Sequence, residues 1–182
     1  MKNWFTKKHV QLHERLLRQK LNATSFKRGS LDFQSVKSVG LVYNAADPTH
    51  SETIRQFVHL LKKQDKEVKV LAYFPDKETH ENCPYKHFSN KALDWVMRPT
   101  GFEVEQFIET PFDVLINLCL KDCIPLEYIS ALSKAGFRVG PVSEKLYCYD
   151  LMIDASDERM SSFIKQVEFF LNRMNNYEIS TI

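Results

Sequence analysis

The chain has 182 residues, of which 43% are hydrophobic and 26% are charged, and its formal net charge is +2. This composition is typical of one globular domain with its own core, and it excludes disordered and collagen-like chains. No apolar run approaches the length of about 18 residues that a transmembrane helix needs, so we expect no membrane span. The first residues lack the apolar segment and cleavage site of a secretory signal, which predicts a cytoplasmic protein.

The small net charge conceals two oppositely charged regions. Residues 1–38 contain nine basic and two acidic residues, a net charge of +7, and the remaining residues carry −5. A basic segment of this kind attracts polyanions through its field without being needed for the fold. We therefore expect this segment to contact RNA through its basic side chains, which are Lys2, Lys7, Lys8, Arg15, Arg18, Lys20, Lys27 and Arg28.

Apolar residues recur at helical spacing within this segment. Leu12, Leu16, Leu17 and Leu21 predict an amphipathic helix over residues 3–21, followed by a basic linker at 26–30. The pattern leaves open whether the helix docks on the rest of the chain, projects from it, or mediates self-association. Contact with a membrane surface is a further alternative, although the apolar face is short.

After this segment, β-rich apolar runs alternate with amphipathic runs. The predicted strands cover residues 36–43, 67–74, 112–118, 137–140 and 149–153, with a short strand at 87–88. Helices are expected before, between and after them. The alternation predicts an α/β three-layer sandwich with a mainly parallel sheet of five or six strands, either Rossmann-like or flavodoxin-like. We divide the chain into an N-terminal arm (residues 1–35), an α/β domain (36–175) and a tail (176–182).

Four local features are also predicted. Thr49 is expected to cap the first helix of the α/β domain, with Glu52 reaching back to form a capping box. Gly136 is expected to end the helix over residues 125–135 in a left-handed conformation. Trp95 is assigned to the core, and Phe170 is assigned to the inner face of the last helix.

Five segments resemble a known family. They are VGLVYNAAD at 39–47, VKVLAYF at 68–74, PFDVLINL at 111–118, ALSKAGFRVG at 131–140 and YDLMI at 149–153. Together they resemble an uncharacterised family of short α/β proteins of Bacteroidota over about residues 36–172. The resemblance implies a cytoplasmic α/β body preceded by a basic segment, and it implies no activity, ligand or catalytic residue.

Polar residues follow several predicted strands. Ligands of parallel α/β sheets bind outside the carboxyl ends of the strands. The residues expected there are Asn44, Asp47, His50, Asn117, Lys121 and Asp122. If they converge, they offer a site for a small molecule or a nucleotide, whether in a binding protein or in a degenerate enzyme. The alternative is that they only form turns and helix caps.

Known catalytic and cofactor motifs do not occur. The chain has neither glycine-rich phosphate-binding pattern, and the turn after the first strand contains no glycine. His80, Cys83 and His87 lack an evident fourth zinc ligand, and the spacing of Cys119 and Cys123 differs from that of zinc and thioredoxin motifs. We predict reduced thiols, with Cys119 in the core, and no metal, cofactor or catalytic residue.

The leading interpretation is therefore a non-catalytic binding or assembly protein. Its arm would contact RNA or a ribonucleoprotein such as the ribosome, and its α/β body would dock protein partners. The alternative is a small-molecule or nucleotide site at the carboxyl edge of the sheet.

Overall fold

Strands and helices alternate along the chain as the sequence predicts. The computed structural model describes residues 2–26, 28–29 and 31–174, with side chains from residue 8 onward. The strands are β1 (Ser38–Asn44), β2 (Glu67–Phe74), β3 (Lys86–Ser89), β4 (Val114–Asn117), β5 (Phe137–Pro141) and β6 (Leu151–Ile153). The helices are α1 (Lys2–Ala23), α2 (Pro48–Lys63), α3 (Phe102–Glu109), α4 (Ile124–Leu132) and α5 (Met160–Leu171), with a 3₁₀ turn at Asn90–Ala92.

The six strands form a single, entirely parallel sheet in the order β3-β2-β1-β4-β5-β6. This confirms the predicted α/β fold class and agrees with its Rossmann-like alternative, because a flavodoxin-like sheet has a different strand order. The first strand lies in the middle, where Val39 pairs with Val68 of β2 on one side and Val114 of β4 on the other. The strand order therefore reverses between β1 and β4.

Both faces of the sheet are covered by helices. Leu41 of β1 packs on the face covered by α2 and α5, whereas the next residue, Val42, packs on the face covered by α3 and α4. Both side chains are fully buried. Because successive strand residues point to opposite faces, burial on both sides explains why the central strands are continuous apolar runs. Each such side chain contributes about 1.5–3 kcal/mol by leaving water.

Helix α1 docks on the α/β body through its described residues. Leu17 is 2% exposed and packs with Tyr128 of α4 and with Cys148. The buried His13 ring places Nδ1 2.8 Å from the carbonyl oxygen of Val96. The helix therefore docks on the body and does not project from it, whereas self-association and contact with a membrane surface stay predictions.

The segment between α1 and β1 is held by two basic side chains. The Arg28 guanidinium donates to two backbone carbonyls that follow α4, including that of Ser133 at 2.8 Å. The buried Lys66 ammonium donates to the carbonyls of Phe33 and Val36, each at 3.0 Å. Both contacts satisfy carbonyl groups that helix and sheet leave without a partner.

The predicted cap of α2 is wrong. Asp47 occupies the cap position, its carboxylate accepts from the Thr49 backbone at 2.9 Å, and Pro48 is the first helical residue. A proline suits that position because it has no N–H that would need a partner. Glu52 does not reach back to the cap and instead pairs with Arg55 on the exposed face of α2.

Three other local predictions are also wrong. Helix α4 already ends at Leu132, and the left-handed glycine in the described residues is Gly101, not Gly136. Trp95 is 68% exposed and packs edge-on against His9, with ring centroids 5.9 Å apart. Phe170 is 42% exposed, on the outer side of α5.

Within the described residues, no helix combines the length and apolarity needed to cross a bilayer. The division into an arm, a domain and a tail stays a prediction, and the tail lies outside the described residues.

Candidate functional site

A cleft of about 260 Å³ lies at the carboxyl edge of the sheet, where the strand order reverses. It is bounded by the turn after β1, the turn after β4 and the loop that precedes α5. Its lining consists of Asn44, Ala46, Asp47, His50, Leu118, Cys119, Leu120, Lys121 and Glu158. In open parallel sheets, the point where strand order reverses is where the loops diverge and leave room for a ligand.

Four of the six residues predicted for a ligand site converge on this cleft. They are Asn44, Asp47, His50 and Lys121. Asp122 does not join them, because it lines a separate cavity beside Arg18 of α1.

Asn117 also stays out of the cleft. It is buried beneath α4, where its amide nitrogen donates to the Tyr149 hydroxyl at 2.8 Å. Its carbonyl oxygen accepts from the backbone of Cys119 at 2.9 Å. Asn117 thus shapes the turn that borders the cleft, without offering a group to a ligand.

Asp47 is the most strongly engaged acid of the cleft. Its carboxylate accepts from the Thr49 hydroxyl at 2.6 Å and from the Thr49 backbone at 2.9 Å. These hydrogen bonds hold the pKa of Asp47 below its usual value. The nearest His50 nitrogen lies 3.6 Å from the other carboxylate oxygen. Asp47 therefore presents a fixed negative charge at the N-terminus of α2.

The opposite side of the cleft carries an ion pair that the sequence did not predict. The Lys121 ammonium lies 2.8 Å from the Glu158 carboxylate, which raises the pKa of Lys121. Both side chains are largely exposed, so the pair adds little stability and remains accessible to a ligand. Glu158 has a φ of 51°, a conformation that costs a non-glycine residue energy and that is often found at binding sites.

The basic residues predicted to contact RNA divide into three groups. The side chains of Lys8, Arg15 and Arg18 are exposed on α1, and the Arg18 guanidinium also lies 5.5 Å from the centre of the Tyr147 ring. Lys20 donates to the Tyr128 hydroxyl at 3.0 Å, and Arg28 is held by the body as described above. The structure does not describe the side chains of the remaining three residues, which are Lys2, Lys7 and Lys27.

A second cavity, of about 440 Å³, lies between α2 and residues 79–85 and includes His80 and Cys83. The His80 ring pairs with Asp76 at 2.9 Å and stacks on Phe74, with ring centroids 3.6 Å apart. No group of three His, Cys, Asp or Glu side chains in the described residues has the arrangement needed to hold a metal ion.

Comparison with known protein families gives a match. A model described as a family of unknown function (DUF6913) matches residues 8–174, from α1 to the last described residue. No curated protein matches the chain. The family match confirms the resemblance to an uncharacterised family, whereas its origin in Bacteroidota and its cytoplasmic location stay predictions.

Proposed function

Since the chain belongs to the DUF6913 family of unknown function, we propose its function from the geometry of the cleft. We propose that the protein binds a small neutral or zwitterionic metabolite at the switch point of the sheet, where the strand order reverses. The observation that carries this proposal is the convergence of Asn44, Asp47, His50 and Lys121 at the one place where the strand order reverses. Ligands of open α/β sheets bind at such points.

The charges of the cleft favour a ligand without phosphate groups. A phosphate would bind best at the N-terminus of α2, where backbone N–H groups and the helix dipole attract anions. The Asp47 carboxylate already occupies that position, and the turn before it has no glycine to let the backbone approach a pyrophosphate. Glu158 adds a second negative charge nearby. These two charges disfavour a nucleotide, which was the other class of ligand that the sequence allowed.

The same groups suit a molecule that carries both an ammonium and a carboxylate. Asp47 and Glu158 can accept from the ammonium, and Lys121 can pair with the carboxylate after it leaves Glu158. Leu120, which is only partly buried, provides apolar surface for the rest of the molecule. The volume of 260 Å³ lies just below the range of about 300–1,000 Å³ found for larger ligands, which indicates a compact one.

A thermal-shift screen of the full chain tests the proposal. The panel contains free amino acids, other small zwitterions, polyols and nucleoside triphosphates. We expect a zwitterion to raise the melting temperature, since a ligand at 100 times its dissociation constant stabilises the folded state by about 2.7 kcal/mol. Asp47→Asn should weaken binding without unfolding α2, because asparagine is an equally good helix cap.

A matched lysine pair controls for general effects of charge. Lys121 and Lys134 are both exposed and both paired with a glutamate, but Lys134 lies outside the cleft. We expect Lys121→Ala to weaken binding and Lys134→Ala to leave it unchanged. Equal binding by the two variants, or stabilisation by triphosphates alone, would contradict the proposal.

RNA binding by α1 is the second candidate. It is supported by the exposure of Lys8, Arg15 and Arg18 along a docked helix, which presents basic groups without an ordering cost for the backbone. Such a face can neutralise successive phosphates, while the α/β body remains available for protein partners.

Substitution within the full chain tests this candidate better than deletion of the arm does, because removal of α1 would expose the partners of Leu17. We expect Arg15→Gln combined with Arg18→Gln to weaken binding of single-stranded RNA. Each lost phosphate contact should reduce the slope of log affinity against log salt by about 0.7. Lys62→Gln with Lys134→Gln removes the same charge elsewhere and serves as the control. Unchanged affinity of the α1 variant would exclude this face as the RNA site.

A further inference from the structure

A tryptophan is displayed at the tip of a hairpin beside α1. The hairpin covers residues 93–99 and is closed by an antiparallel bridge between Leu93 and Pro99. Trp95 is 68% exposed at its tip, whereas tryptophan is highly buried in most folded proteins. Its ring packs edge-on against His9, the residue that follows Lys8 on α1. The indole therefore presents apolar surface next to the first basic side chain that the structure describes on α1.

The hairpin is fixed by its own hydrogen bonds. The Asp94 carboxylate accepts from the backbone of Val96 at 3.0 Å and from the backbone and guanidinium of Arg98 at 2.9 and 2.7 Å. The Val96 side chain is fully buried, and its carbonyl is bound to His13. Met97 has a φ of 63°, which a non-glycine residue keeps only where its surroundings enforce it. The tip is therefore preorganised, and a partner of the indole loses little affinity to ordering of the loop.

Exposed residues recur every three or four positions along α1, so they share one face of the helix. We call this the basic face of α1, and its residues are Lys8, Gln11, Arg15, Arg18 and Asn22. The acidic Glu14 lies at its border, where it lines a cavity together with Arg18. At 1.5 Å per residue, Arg15 lies about 10 Å further along the axis than Lys8. The face can thus follow an extended polyanion that starts beside the indole.

We propose that Trp95 stacks on an unpaired base of single-stranded RNA whose phosphates lie along the basic face of α1. The inference rests on RNA binding by α1, the second candidate function, and adds the residue that recognises a base. Proteins that bind single strands combine a basic track for the backbone with aromatic rings for the bases. Bases within a duplex are already stacked on each other and offer no free face to an indole. The surface should therefore prefer unpaired RNA.

The charge of α1 favours RNA over a membrane as the occupant. A helix that lies on a bilayer needs an outward apolar face. In α1 the apolar side is directed toward the body, where Leu17 is buried, and the outward side carries basic and amide groups. Such a surface matches a chain of phosphates.

Intrinsic fluorescence of the full chain tests the stacking contact directly. The chain has two tryptophans, so Trp4→Phe leaves Trp95 as the only source of indole emission. We expect a short oligouridylate to quench this emission, and the same strand paired with oligoadenylate to quench it much less. Absence of quenching at saturation with the single strand, or equal quenching by the duplex, would overturn the proposal. An emission change with phosphatidylserine vesicles and none with RNA would assign the surface to a membrane instead.

Substitution of Trp95 separates stacking from charge. We expect Trp95→Ala to lower the affinity for oligouridylate about 5-fold to 150-fold, the effect of losing one stacked base. The slope of log affinity against log salt should not change, because stacking releases no counterions. Trp95→Phe should retain most of the affinity.

Phe169→Ala is the matched control. Phe169 is 49% exposed on α5, which covers the other face of the sheet, and the Arg173 guanidinium lies 3.9 Å from its ring centre. An exposed aromatic ring beside a basic group is thus removed away from α1, and the affinity for oligouridylate should not change. A loss equal to that of Trp95→Ala would contradict the assigned role of Trp95.

The variants also distinguish this inference from the RNA function on which it rests. If Arg15→Gln with Arg18→Gln weakens binding and Trp95→Ala does not, α1 binds RNA and Trp95 is not its stacking residue. If the full chain binds no RNA, both proposals fail. We expect Trp95→Ala to melt at the temperature of the unchanged protein, since the side chain is largely exposed. If it melts lower, the quenching of Trp4→Phe decides, because that variant keeps Trp95.

Discussion

At the scale of single residues, one glycine permits the close packing of a tyrosine on the sheet. A β-carbon built on Gly140 would lie 2.3 Å from the nearest atom of the Tyr149 ring. The ring is buried, and its hydroxyl accepts from Asn117 at 2.8 Å, so it cannot move aside without breaking that hydrogen bond. Gly140 is thus required because of the close approach of a side chain, and its backbone conformation plays no part.

We therefore expect Gly140→Ala to destabilise the protein. Overpacking of a buried site costs about 1–3 kcal/mol, and loss of the Asn117 hydrogen bond would add to it. Urea denaturation followed by circular dichroism measures the effect as a lower midpoint. Gly29→Ala is the matched control, because a β-carbon there meets no atom of the described residues within 4 Å. Equal midpoints for the two variants would show that the ring does move aside.

The same residue scale explains which site residues the sequence could predict. Asn44, Asp47, His50 and Lys121 follow strand ends in turns, and the edge of the sheet brings them together. The alternation of side chains along β4 could have excluded Asn117 from the predicted ligand site. Asn117 lies two residues after Leu115, so its side chain points to the same face of the sheet, beneath α4.

Glu158 could not be predicted in the same way. It enters the cleft from the loop before α5, and neither sequence spacing nor a motif connects it to Lys121.

At the scale of elements, a buried histidine holds α1 against the body. Burial lowers the pKa of His13 below 6.5, although its hydrogen bond with Val96 acts in the opposite direction. The charged groups that influence it are Lys145, which lowers the pKa, and Asp94 and Glu127, which raise it. His13 is therefore neutral in the folded protein at neutral pH, with its ring nitrogen bound to the Val96 carbonyl.

This arrangement predicts a pH dependence of stability. Because the folded-state pKa is below that of the unfolded chain, the unfolded state binds more protons as the pH falls below 6.5. The contribution of His13 is fully present above that pH and is lost as the pH falls toward the folded-state pKa. The slope is at most about 1.4 kcal/mol per pH unit, the value for uptake of one proton.

Urea unfolding at a series of pH values measures this contribution. We expect His13→Gln to remove part of the decline in unfolding free energy below pH 6.5, because glutamine does not titrate. His59→Gln on the exposed face of α2 should retain it. An identical decline in the His13 variant would show that other groups cause it.

The elements themselves were predicted more reliably than their ends. The predicted bounds of β2 agree with the structure, because its apolar run ends abruptly at Pro75. The predicted cap of α2 was wrong because two residues of similar chemistry, Asp47 and Thr49, lie two positions apart, and only the position of Pro48 decides between them. Trp95 was assigned to the core, but its loop leaves it exposed beside α1.

At the scale of the whole molecule, docking of the arm on the α/β body explains part of the excess of basic residues in the arm. Lys20 and Arg28 bind groups of the α/β body, so part of the positive charge of the arm stabilises docking. Sequence alone could not distinguish this use from RNA binding, because both need basic side chains on an amphipathic helix. The parallel sheet, in contrast, was predictable because continuous apolar strands require cover on both faces.

The docking of α1 on α4 also has a consequence for synthesis of the chain. Lys20 and its partner Tyr128 are 108 residues apart, and Cys148 and Tyr149 follow later still. At about 5–20 residues per second, α1 waits about 5–20 s for the surface that covers Leu17. During that interval the nascent chain presents an uncovered, cationic amphipathic segment to the tunnel exit and to chaperones. Helix α1 is thus synthesised well before the surface on which it docks.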